Sequence, residues 1–350
     1  MSKTLESETP ALKGPGSARR KAFSTSAGGL VEAQPPAPDV TLPLIVRPAV
    51  KGVELGAWAA GNAEFIRANL LRHGALLFRD FNVRTTADFQ RFLVAAGVGL
   101  MEYRERSSPR SQVGENIYTS TDYPADQSIF PHNEHSYSQT FPLKLFFYCL
   151  APAEQGGETP LADCRKVFQR LDPAVRERFI RRKWMYVRNY GGGFGLTWQS
   201  VFQTDQKSEV EAYCREKAIE VEWTGEGRLR TRQVRPVVAM HPHTGEPVWF
   251  NHATFFHVST LEPSMREALL AEFGEEGLPN NTYYGDGSPI EPSVLDELRE
   301  AYRQEMSSLP WQQGDIMLLD NMLTAHARMP FVGPRKILFA MAEPFTRTDI

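Results

Sequence analysis

Three short apolar runs constrain this chain more than anything else in it. Residues 143–150, 315–319 and 336–341 read as buried strands. About 165 residues, most of them helix-like in pattern, separate the first run from the other two. Strands in the middle and at the end, with helices early and in between, do not fit regular strand–helix alternation. The expected class is therefore α+β with a mainly β core, a sandwich or barrel carrying helical decoration.

The remaining segments fill in this outline. Residues 56–73 have helical spacing (Trp58, Phe65, Ile66, Leu70), and Gly74 stops them before a short buried strand at 75–78. Thr85-Thr86 opens a second helix that ends at Gly97. Residues 101–131 read as short strands and loops beside a pocket. Residues 164–182 read as a helix interrupted at Pro173, with further helices at 208–219, 262–273 and 291–306. The cluster Gly191-Gly192-Gly193-Phe194-Gly195 reads as a flexible loop. A dinucleotide fingerprint would need a buried strand before it and an amphipathic helix after it. Residues 1–40 contain Pro10, Pro15, Pro35, Pro36 and Pro38 and few large apolar residues, so a flexible tail is expected there. The globular part is expected to run from 41 to 350.

Charge and cysteine content exclude several functions. With 39 basic and 42 acidic residues the formal charge is −3, which gives no bulk grip on nucleic acid or anionic membrane. Cys149, Cys164 and Cys214 form no close pair and read as reduced thiols. No apolar run approaches the ~20 residues that cross a bilayer. Nor does the N-terminal segment have the apolar stretch of a secretory signal. A cytoplasmic location is expected.

The chemistry rests on which of the eight histidines share a metal. On an extended segment His132 and Glu134 point to one face, offering an imidazole and a carboxylate to adjacent corners of an ion. A surface strand explains the same pattern. His326, after the run at 316–319 and the Asp320-Asn321 turn, is the best third ligand. Two histidines and one carboxylate leave three octahedral positions open, as in non-heme Fe(II) oxygenases. Arg335 opens the last strand, where it suits either a bound carboxylate or a structural ion pair. His241 and His243 read as a solvated turn. His252 and His257 read as core packing or pocket lining, and His135 as pointing away from Glu134.

Several motifs in order resemble one family. They are Pro131-His132-Asn133-Glu134; Gly156-Gly157-Glu158-Thr159-Pro160 with Asp163; Leu319-Asp320-Asn321; Ala325-His326-Ala327-Arg328; and Gly333-Pro334-Arg335. Between them lie Arg188-Asn189-Tyr190-Gly191, Arg230-Thr231-Arg232-Gln233 and Tyr283-Tyr284-Gly285-Asp286-Gly287. From about residue 40 onward the chain resembles the TauD/TfdA dioxygenases, and within them the SyrP-like branch of secondary metabolism.

The resemblance implies a double-stranded β-helix, or jelly-roll barrel, as a single domain with a large insertion at about 165–310. It implies Fe(II), 2-oxoglutarate and dioxygen, with His132, Glu134 and His326 as iron ligands. Arg335 would hold the distal carboxylate of 2-oxoglutarate, Thr159 would assist, and Arg328 could share or replace that role. The expected activity is hydroxylation of an aliphatic carbon, with succinate and carbon dioxide as coproducts. Desaturation or epoxidation by the same machinery, a non-catalytic barrel that binds a small carboxylate, and a Zn hydrolase are the alternatives. Many relatives have Asp where this chain has Glu134. Because that carboxylate fills the place a halide would need, halogenation is not expected. The resemblance points to an amino-acid-like substrate, free or presented by a carrier protein. The segment from Gly114 to Tyr123, with Ile117, Tyr118, Thr119 and Ser120, is expected to line its pocket, with Arg104, Arg106 or Arg110 meeting its carboxylate.

Overall fold

Two sheets carry the architecture of the computed structural model, which describes residues 24–26, 29–37, 40, 42–102, 110–120, 123–225 and 227–348. The larger has ten strands. Its centre is built from the three apolar runs: Thr140–Ala151 lies between Ile316–Asp320 and Lys336–Thr346, antiparallel to both. Ala75–Phe78, Leu44–Pro48 and Val31–Gln34 extend it on one side, and Ile117–Thr119 on the other.

The period of two along these strands divides their side chains between two cores. Phe146, Tyr148, Leu318, Leu338 and Ala340 face Trp58, Phe89, Phe92 and Leu93 from the early helices. Leu145, Phe147, Leu319, Phe339 and Met341 face the opposite way, toward Leu161 and Trp311. That second face borders the site.

The helical face is built much as the sequence indicates. The pattern at 56–73 yields two helices, Leu55–Gly61 and Ala63–His73, broken at Asn62. Gly74 ends the second in the left-handed region at φ 75, packed so closely on Thr324 that a Cβ has no room. Thr85 and Asp88 form a capping box for Thr86–Ala95.

The second sheet runs in the order Met306–Ser307, Leu161–Asp163, Thr324–Arg328, Ile129–His132. It lies over the larger sheet, with the His326 ring 5.1 Å from that of Phe147. The expected jelly-roll barrel takes the form of two stacked sheets here. Among the described residues the strands form separate sheets with free edges, and no continuous hydrogen-bonded ring.

Between Leu161–Asp163 and Ile316–Asp320 the chain builds a four-stranded sheet, in the order Glu220–Thr224, Arg228–Arg235, Trp184–Tyr190, Asn280–Tyr284. Its core is private only in part, where Tyr190 and Leu229 pack with Trp198 and Val201. Trp184, Tyr186, Trp249 and Leu298 pack in one cluster with Tyr137, Phe141, Ala162 and Ala325.

Two expectations are corrected. The tail assigned to residues 1–40 contains Val31–Gln34, which pairs with Leu44–Pro48 and buries Val31 completely. Residues 1–23 lie outside the described residues. The glycine cluster does follow a strand, Trp184–Tyr190, but that strand is antiparallel to its neighbours, so no dinucleotide-binding unit results. Among the described residues no helix is long and apolar enough to cross a membrane.

Candidate active site

Strand register brings the two histidines together. His326 pairs directly with His132 across the smaller sheet, and their ring centroids are 4.4 Å apart. On its other side His326 pairs with Leu161. The strand Ile129–His132 ends at the first histidine, and the chain then turns. Glu134 is therefore delivered by a turn and not by an extended segment, which corrects the expected two-residue alternation. His135 does not point away; at φ 57 it places Nε2 3.7 Å from Glu134 Oε1.

Asn321 makes that turn reproducible. Its Oδ1 accepts from the Glu134 backbone N–H at 2.8 Å, and its Nδ2 donates to the carbonyls of Glu134 and Pro142. Asn133 Nδ2 donates in return to the Asn321 carbonyl at 2.7 Å. All four groups are buried polar atoms, and each is satisfied by the next. Asp320 anchors the same corner, accepting from the Met322 and Leu323 N–H groups and from His241 Nε2. His241 is thus buried against a carboxylate, not solvated as its sequence neighbourhood suggests. Its Nδ1 accepts from the N–H groups of His243 and Thr244.

Together, His132, Glu134 and His326 place ligand atoms within 4.8 Å of one another. His132 Nδ1 donates to the Phe130 carbonyl at 2.9 Å, which leaves Nε2 with its lone pair. His326 Nδ1 is buried with no partner among the described residues. Burial, reinforced by neighbouring positive groups, pushes His326 well below the usual histidine range. Burial also lowers His132, against the pull of Glu134. Both rings are accordingly neutral and able to donate. Burial alone would raise the Glu134 carboxyl, but the Arg110 guanidinium leads the neighbours that outweigh it and hold Glu134 below its ordinary value. Two neutral imidazoles and an ionised carboxylate are a donor set that suits Fe(II).

Two pockets open from this cluster. One runs past Phe147, Thr159 and Ile337 to Arg335. Arg335 Nε donates to the Gly157 carbonyl at 2.8 Å, and its Nη1 lies 3.5 Å from Ser120 Oγ. Among the described residues no carboxylate pairs with it. Burial, with Arg328 nearby, draws its guanidinium down to about 10. A half-buried cation without a counterion is a docking point for an anion. Thr159 Oγ1 accepts from Trp311 Nε1 at 3.1 Å, leaving its own O–H to donate. Arg328 differs: its terminal nitrogens are spent on the carbonyls of Tyr123, Pro124 and Gln127.

The other pocket, of about 270 Å³, is bounded by Glu134, His252, Phe255, Glu262 and Asn280. His252 is held well below the usual range by burial and by His132 and His135. His257 caps the short helix Val258–Thr260 and lies away from the cluster. Of the predicted pocket segment Ser120 and Tyr123 each reach a pocket; Ile117 and Tyr118 are buried in the cores, and Thr119 bonds the Ser111 N–H. Arg104 and Arg106 lie outside the described residues. Arg110 contacts Glu134. Trp311 and Phe255 gave no signal in the sequence, whereas Asn321 lay within a motif whose role only the fold reveals.

Comparison with known proteins decides the family. The model of the "Taurine catabolism dioxygenase TauD, TfdA family" matches residues 35–341. The chain belongs to the TauD/TfdA dioxygenases. This dioxygenase is 39% identical over 275 residues to the dapdiamide synthesis protein DdaC of Enterobacter agglomerans, covering 79% of this chain and 84% of that one. It is 29% identical over 290 residues to a clavaminate synthase-like protein of Arabidopsis thaliana, with 80% and 84% covered. Among solved structures it resembles PvcB of Pseudomonas aeruginosa at a TM-score of 0.54 and 16% identity, covering 89% and 90% of the two chains. It also resembles AAD-2, solved with Mn(II) and N-oxalylglycine, at 0.51 and 14%, covering 87% and 95%. These structural likenesses establish the jelly-roll fold. As a family member the dioxygenase is an oxidoreductase that uses Fe(II) and 2-oxoglutarate.

Proposed function

We propose that this dioxygenase hydroxylates an aliphatic carbon of an amino acid or amino-acid-derived small molecule, within the SyrP-like branch. His132, Glu134 and His326 are the iron ligands, and Arg335 with Thr159 receives 2-oxoglutarate. The observation that carries this reading is the placement of the three donor atoms, within 4.8 Å of one another, between two pockets of which one ends on an uncompensated arginine. Bound Fe(II) and 2-oxoglutarate supply the oxidising chemistry, with the cosubstrate converted to succinate and carbon dioxide.

The protein's part is positional. Arg335 receives the distal carboxylate, and the Thr159 hydroxyl adds a hydrogen bond to it. Phe147 and Ile337 wall that pocket with apolar surface, which limits water around the cosubstrate. Ile129, Phe130 and Phe255 hold aliphatic parts of the substrate, while Gln127, Ser128, Glu262 and Asn280 offer polar contacts to its head group. A relative at 39% identity whose name refers to dapdiamide synthesis supports a small-molecule substrate. Delivery on a carrier protein fits the same pocket. Because Glu134 supplies the third donor, oxygen transfer is favoured over halogenation.

Anaerobic titration tests the site directly. Adding Fe(II) and 2-oxoglutarate to the wild type produces a weak visible charge-transfer band, and candidate substrates shift it. His132→Ala abolishes both the band and succinate release. Undiminished succinate formation by that variant would overturn the ligand assignment.

A further inference from the structure

The two pockets meet at Arg110, which borders both of them. Arg110 Nη2 lies 2.8 Å from Glu134 Oε2, and the two side chains are only 4% and 3% exposed. The guanidinium carbon sits 4.2 Å over the Phe339 ring, so the larger sheet fixes its place. Asn321 pins the Glu134 backbone but does not reach its carboxylate. Among the described contacts, that group meets only Arg110 at hydrogen-bond distance, with His135 Nε2 3.7 Å from the other oxygen. A glutamate has one more rotatable bond than an aspartate, and a rigid guanidinium fork restricts that freedom.

We infer that Arg110 is a positioning residue for the metal: it holds Glu134 Oε2 and thereby presents the other carboxylate oxygen to the ion. The inference rests on the reading of His132, Glu134 and His326 as ligands. It also removes Arg110 from the role of receiving a substrate carboxylate. Glu134 and Arg110 thus work as a pair.

The test reads metal binding itself. Mn(II) is titrated into the metal-free protein and the free ion is followed by its paramagnetic resonance signal; the Fe(II)–2-oxoglutarate band is recorded in parallel. Arg110→Met weakens Mn(II) binding by about 10- to 100-fold, the usual cost of losing a group that orients a ligand, and shifts the band. Arg110→Lys, which keeps the charge but not the fork, recovers part of the affinity. Glu134→Asp weakens binding on its own, and adding Arg110→Met to it costs little more, because the pair is already broken.

Wild-type affinity and an unshifted band in folded Arg110→Met overturn the inference, as do fully additive losses in the double variant. Should Arg110→Met not fold, Arg110→Lys, alone and combined with Glu134→Asp, reads the same coupling. His132→Ala separates this inference from the one beneath it. If His132→Ala binds Mn(II) like wild type, the ligand assignment fails. If His132→Ala loses Mn(II) while Arg110→Met keeps it, only the role of Arg110 fails.

Discussion

Arg335 and Arg328 look interchangeable in the sequence, seven residues apart around the last strand turn, yet their hydrogen bonds assign them different work. Arg328 satisfies three backbone carbonyls, while Arg335 turns its free donors into a pocket. Arg335→Gln should therefore raise the KM for 2-oxoglutarate at least ~10-fold while Mn(II) still binds, since a carboxylate loses its charged partner. Arg328→Gln should instead lower stability by about 1–3 kcal/mol in denaturant titrations, through buried carbonyls left without donors. Equal KM effects from the two would contradict the division. Residue chemistry of this kind was partly legible beforehand. His132, Glu134 and His326 stood in motifs whose donor types already suggested a metal. The Arg110–Glu134 contact was not, because nothing local ties residue 110 to residue 134. Nor was the burial of His241, whose partner Asp320 arrives from a distant turn.

At the scale of elements, the site depends on one corner. The Asp320-Asn321 turn between Ile316–Asp320 and Thr324–Arg328 grips the segment carrying Glu134. Asn321→Ala removes one acceptor and two donations, and leaves the Glu134 N–H and the Pro142 carbonyl unpaired inside the protein. A loss of at least ~2 kcal/mol follows, together with weaker Mn(II) binding; a variant with wild-type stability and affinity would show that the turn holds itself. The long strands of the larger sheet were legible because their apolar runs are continuous. Leu161–Asp163 and Thr324–Arg328 were not. They are short and buried on both faces, so no alternation marks them. Val31–Gln34 escaped for a different reason: it owes its order to pairing with Leu44–Pro48 and carries little apolar character itself.

For the whole molecule, the shared core matters most. The cluster that joins Trp184 and Leu298 to Phe141 and Ala325 ties the inserted segment to the two sheets through one apolar core. Calorimetry of the metal-free protein should show a single cooperative transition; two resolved transitions would make that segment an independent unit. The strand order of the larger sheet has one more consequence, for synthesis on the ribosome. Thr140–Ala151 is made well before both of its hydrogen-bonded neighbours, Ile316–Asp320 and Lys336–Thr346. A growing chain thus carries its longest apolar strand unpaired on both edges until Ile316 is reached, the condition that invites chaperone capture or aggregation. His326 emerges between those two late strands. The nascent polypeptide cannot bring the three candidate metal ligands together until His326 is out, so a chain stalled before it is an empty, sticky intermediate.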